Sequence, residues 1–160
     1  MRRSGNPPAR GIIIELDAYL TGAGIMTTQG KLNLLAVILL PSAAVLGAAI
    51  ATSNGVFNAY TNTYLFIFAL NCVITLPAAL LSGLFLRRSL GTKSRWIAIL
   101  PTLVPVAIGS VWYLWRGISP AVVAPGAEYI GAPQYLLVIL LAVTFVVLLI
   151  RVTGIVPRTD

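Results

Sequence analysis

Four stretches of the chain, residues 32–52, 63–86, 96–115 and 134–156, run almost without a charged side chain. Each reaches the roughly 20 apolar residues that cross a hydrocarbon core about 30 Å thick. Inside lipid every backbone N–H and C=O needs an internal partner, which leaves helices or a closed barrel. The runs are continuous and do not alternate, so the pattern predicts helices. The predicted fold is therefore an all-α integral membrane protein, a four-transmembrane-helix bundle with a short amphipathic helix before it. Composition agrees: 58% of residues are hydrophobic and only 9% charged, against about a quarter charged in soluble domains. The 160 residues leave room for one membrane domain, 32–156, between a tail, 1–31, and a short C-terminus, 157–160.

Lysine and arginine predict the orientation. Arg2, Arg3, Arg10 and Lys31 precede the first run, Arg87, Arg88, Lys93 and Arg95 lie between the second and third, and Arg151 and Arg158 close the chain. Alternating helices put all of these on one side and only Arg116 on the other. Positive charge marks the cytoplasmic face, so both termini are expected in the cytoplasm (N-in/C-in), with the plasma (inner) membrane of a prokaryote as the expected location. The net charge of +7 is then a membrane signature. No nucleic acid partner is expected, because no basic stripe interleaved with aromatics occurs on a polar segment.

In the tail, Ile12, Ile13, Leu16, Tyr19 and Leu20 recur at helical spacing, with Glu15 and Asp17 between them. A helix lying on the membrane surface fits this pattern. The charges interrupt any secretory apolar run. Met26, followed by Thr27-Thr28-Gln29-Gly30-Lys31, offers an alternative start directly before the first helix.

The four runs contain no Asp, Glu, Lys or His, and histidine is missing from the chain. Proton relays and carboxylate cation sites normally rest on intramembrane ionisable groups. The single Cys72 supplies neither a disulfide nor a cysteine metal site. Arg116 and Arg151, near helix ends, are expected to snorkel to the interface. No nucleophile, base or metal-ligand set stands out, so the chain is read as a non-enzyme with no predicted metal or resident cofactor. It lacks the paired cysteines of thiol-oxidising bundles, the histidines of membrane cytochromes, the intramembrane glutamate of small multidrug exporters and the acidic signature of phosphatidyl transferases.

Pro41, Pro77 and Pro105 each stand ten residues from a basic residue at the inner boundary. At about 1.5 Å per residue all three fall roughly 15 Å deep. Each removes a backbone hydrogen bond and tends to kink its helix. Together with Ser42, Asn71, Thr75, Thr102 and Ser110 they mark a candidate midplane cavity. The plainer alternative is three kinks whose freed carbonyls are satisfied locally, with Asn71 bonding between helices.

Tyr60, Tyr64, Trp112, Tyr113, Trp115, Tyr129 and Tyr135 are expected at the outer boundary, where Tyr and Trp concentrate. They form either an interfacial belt or a rim that packs against a lipid, quinone, carotenoid or neighbouring subunit. Ala43, Gly47 and Ala51, and again Ala79 and Gly83, repeat at four-residue spacing and predict close helix contacts. The fourth run is the candidate for broad lipid exposure.

The expected function is that of a non-catalytic structural or accessory subunit in a larger membrane complex, partnered by other membrane subunits or by itself as a homo-oligomer. The alternatives are a small oligomeric transporter or channel for a neutral solute, and a bundle binding lipid, quinone or pigment.

Overall fold

The computed structural model describes residues 27–89, 91–121 and 123–154. Among them five helices form and no strand: α1 (Thr28–Ser53), α2 (Thr61–Arg87), α3 (Thr92–Ala98), α4 (Leu100–Ile118) and α5 (Glu128–Thr153). Helices α1, α2 and α5 are each long and apolar enough to cross a membrane. The pair α3–α4 passes the same test as one bent unit, giving three to four spans. This architecture is compatible with a helical bundle embedded in a membrane. The amphipathic segment expected at residues 12–20 lies outside the described residues.

Local chemistry sets the helix ends. The Thr27 hydroxyl accepts from the Gly30 N–H at 3.2 Å and caps α1, satisfying one of the donors that a helix start leaves free. Helix α5 stops at Gly154, whose φ of +66° is the left-handed conformation that glycine supplies at a C-terminus.

The third span is not the single helix from Trp96 to Trp115 that its hydropathy predicts. It breaks at Ile99, and α3 and α4 meet at 52°. Pro101, in the first turn of α4, explains the break. It has no N–H to donate, and in a continuous helix its ring would press on the Ile97 carbonyl, whereas a proline at a helix start costs little. The fourth span begins earlier than the apolar run, at Glu128, and takes Pro133 inside α5. A proline so close to the N-terminus removes only one bond, to the carbonyl four residues back.

Helix α1 packs between α2 and α4; α4 packs on to α5, and α2 reaches both α4 and α5. The closest seam is α1 against α4. Ala43, Gly47 and Ala51 are all buried, as their spacing predicts, and Gly47 lies in this seam. A Cβ on Gly47 would run into the Tyr113 carbonyl, and one on Gly117 would lie 2.7 Å from the Gly47 carbonyl oxygen. Lower in the seam Gly109 admits both Leu40 and Leu136, so the core is continuous from α1 to α5. Gly83 differs: no neighbouring element lies within 4 Å of where its Cβ would be, so no described residue packs closely on it. Of the three long spans α5 has the least buried apolar window, 22% against 44% for α1.

Candidate functional site

Hydrogen bonds between helices run along the bundle. Near the α1 start, Asn33 Nδ2 donates to the Ala79 carbonyl at 2.9 Å. The Thr75 hydroxyl stands 3.2 Å from the carbonyls of both Val37 and Asn71, so it serves its own helix and α1 together. Thr102 donates to Ser82 at 2.8 Å, with both side chains buried. Further along, Tyr113 Oη donates to Asn71 Oδ1 at 3.0 Å, and Asn71 Nδ2 donates to the Ile67 carbonyl at 2.9 Å. In a low-dielectric interior each pair spares its members the cost of an unmet polar group.

The midplane residues do not share one surroundings. Pro41, Asn71, Thr75, Thr102 and Pro105 are buried, whereas Ser42 and Pro77 are exposed on the outside of their helices. Ser110 is half-buried, and its hydroxyl has no partner. Equal depth along three helices therefore does not make an equal facing, because a residue's direction depends on helix rotation as well as on height.

The aromatic set also divides. Tyr60, Trp115 and Tyr135 are exposed, and Tyr64 and Trp112 are half-buried against the core. Tyr113 and Tyr129 lie wholly inside. Their rings stack with centroids 5.8 Å apart and planes 10° from parallel, and Phe57 approaches Tyr129 at 5.9 Å. The space for them comes from glycine: a Cβ on Gly47 would already touch the Tyr129 ring at 3.4 Å. The signal was present in the sequence, since Gly109, Tyr113 and Gly117 lie four apart and so share one helix face.

Beside this stack lies a pair that charge counting alone does not reveal. Arg116 Nη2 donates to Glu128 Oε1 at 3.3 Å, with the two side chains only 17% and 9% exposed. Arg116 thus finds a carboxylate across the α4–α5 loop in place of the expected free snorkelling. Glu128 Oε1 also accepts from the Ala121 N–H at 3.1 Å, which ties the loop to the start of α5. Gly126, at φ +90°, turns the loop where a Cβ would meet the Phe57 ring at 3.1 Å. Four atoms near this end of the bundle are buried without partners: Ser110 Oγ, Arg116 Nε, Glu128 Oε2 and Tyr129 Oη. Among the described residues no group of His, Cys, Asp and Glu could hold a metal ion.

Outside the same end, Trp112 forms a ridge between two apolar clefts. One, of about 360 Å³, lies between α4 and α5 over Gly109 and Ala132, with Tyr135, Leu136 and Ile139 on its far wall. The other, of about 520 Å³, is lined by Ala107, Ile108, Val111 and Trp115. Gly109 and Ala132, both buried, line the first cleft together with Trp112 and Tyr135. The arrangement can take up an apolar chain or the ridge of another helix.

Set against family models, curated proteins and solved structures, the chain matches none.

Proposed function

We propose that the chain is a non-catalytic subunit of a membrane assembly, and that it docks on its partner through the outer half of α4 and α5. The observation that carries this reading is where the recess lies. Asn71, Thr75, Ser82, Thr102 and Tyr113 make their hydrogen bonds to one another, to their own helix or to a neighbouring one, so the interior serves cohesion. The hollow surface is on the outside, around Trp112. Aromatic anchors in apolar pockets are what interfaces use most. In this reading the basic end of the bundle, carrying both termini, faces the cytoplasm of a prokaryotic cell.

Purification in mild detergent or lipid nanodiscs, followed by mass spectrometry, tests it. The expected result is one or more membrane proteins in fixed ratio, lost when Trp112 is replaced by Ala. Elution as a lone monomer would overturn the reading.

A second reading, an apolar ligand such as a quinone, carotenoid or lipid tail held in the cleft between α4 and α5, is favoured by that cleft's apolar lining and its volume of about 360 Å³. Solvent extraction and an absorbance spectrum of the purified protein test it; an extract holding only bulk lipid removes it. The exposed Ser42 and Pro77 give no comparable support to a neutral-solute path through a single copy.

A further inference from the structure

The end of the bundle opposite Trp112 is built differently. Lys31 stands in the first turn of α1, Arg87 and Arg88 end α2, Lys93 and Arg95 lie on α3, and Arg151 is in the last turn of α5. The one carboxylate among the described residues, Glu128, lies at the other end and already holds Arg116. Six cations therefore share this end with no described counter-charge.

The structure gives them a fixed base. Arg151 Nη2 donates to the Phe85 carbonyl at 3.0 Å and to Ser89 Oγ, and its guanidinium lies 4.9 Å above the Phe85 ring. Ser89, itself buried, donates to the Phe85 carbonyl at 2.7 Å, and its hydroxyl stands 3.4 Å from the Ser94 carbonyl. This clasp draws the end of α2, the start of α3 and the end of α5 together. Arg88 and Lys93 are the immediate chain neighbours of the joined serines, and both are exposed. The 52° break before α4 turns α3 away from the α4 axis, and the same short helix carries the exposed Trp96, a residue that favours headgroup level.

We propose that this clasp is a binding site for an anionic phospholipid, whose headgroup phosphate is held by Arg88 and Lys93. The phosphate supplies a counter-charge that none of the described residues offers here, through charge-assisted hydrogen bonds to side chains carried on either side of one contact. Trp96 lies against the same headgroup layer. The acyl chains run along the apolar outside of α2 and the α3–α4 bend. The site is separate from the α4–α5 face and stands or falls independently of any partner there.

The test uses the full chain in nanodiscs of phosphatidylcholine with or without phosphatidylglycerol. Lipid retained on the protein after transfer to detergent is counted by native mass spectrometry. Retention selective for phosphatidylglycerol is expected, and equal retention of both lipids would overturn the proposal. Arg88→Gln and Lys93→Gln should each weaken that selectivity about fivefold, the scale of one cation near an anionic surface. Arg88→Lys keeps the charge and should keep most of the selectivity; its loss there, with helix content unchanged, would mark a structural role and overturn the site. Lys31→Gln, on α1, should leave retention unchanged. An equal fall in that variant would show a diffuse field and no site. Displacement of the lipid by inorganic phosphate would assign the clasp to a free anion and overturn the lipid reading.

Discussion

Arg116 and Arg151 stand in the last turns of helices at opposite ends of the bundle, and the two are satisfied in opposite ways. Arg116, ending α4, meets the Glu128 carboxylate while both side chains are nearly covered. Arg151, ending α5, meets no carboxylate among the described residues; it meets a backbone carbonyl, a hydroxyl and an aromatic face at the C-terminus of α2. The carbonyls at a helix C-terminus are left without intrahelical partners and carry partial negative charge, so Arg151 is matched by a dipole where Arg116 is matched by an ion. A covered ion pair tolerates the loss of neither partner, because the survivor is stranded. A cation on a helix end at the membrane boundary can turn back towards water. The Glu128 end is therefore expected to be brittle and the Arg151 end forgiving.

The largest effect should come from the scaffold that makes the brittle end possible. Gly47→Leu drives a side chain into the Tyr113 carbonyl and the Tyr129 ring, and overpacking against backbone has little room to relax. Loss of about 3 kcal/mol or more is expected, read as a collapsed unfolding midpoint in detergent. Gly83→Leu, on a face with no neighbour within 4 Å, should change little; equal damage from both would break the contrast. Next comes the ion pair. Glu128→Gln should cost about 3 kcal/mol, while Arg116→Leu combined with Glu128→Leu should recover much of it. If the double variant is no better than the single one, Glu128 matters for holding the loop at Ala121 and not for Arg116.

These contrasts separate what could be read from the chain from what could not. The apolar runs placed the helices because length and hydropathy suffice for that. The Ala43, Gly47 and Ala51 face could be read because small residues four apart lie on one side of a helix. The break at Ile99 could not be read from hydropathy, because Pro101 lies inside a continuous apolar run that length and apolarity alone do not divide. The facings of Ser42 and Pro77 depend on how α1 and α2 are rotated in the bundle, and depth from a basic boundary carries no such information. Tyr113 and Tyr129 look like interfacial residues by position alone; what takes them inside is glycine on a partner helix, a property of the pair. The Arg116–Glu128 contact spans a loop whose path no spacing rule encodes.

The buried hydroxyl at the brittle end gives a smaller effect. Tyr113→Phe removes the donor to Asn71 Oδ1 and keeps the ring that stacks on Tyr129. Hydrogen bonds between membrane helices average about 0.6 kcal/mol, and the stranded Asn71 oxygen raises the cost, so about 1 kcal/mol is expected by thermal unfolding. Asn71→Leu strands the buried Tyr113 hydroxyl in turn and should cost about as much as Tyr113→Phe. A much larger loss in the leucine variant would mean that Asn71 does more than answer Tyr113.

The smallest effect sharpens the comparison from the forgiving side. Arg151→Lys keeps a cation near the α2 terminus but gives up the planar group that reaches the Phe85 carbonyl and the Ser89 hydroxyl while lying over the Phe85 ring. An ammonium at a helix C-terminus retains about 0.3–1 kcal/mol of the dipole attraction, so the net loss should stay below about 1 kcal/mol. The corresponding Arg116→Lys should cost more, because a covered carboxylate then depends on a shorter, point-like partner. Unfolding midpoints measured side by side decide the matter. If Arg151→Lys is the more damaging of the two, the dipole-matched arginine is the tighter clamp, and the brittle end of this bundle is the one with the most positive charge.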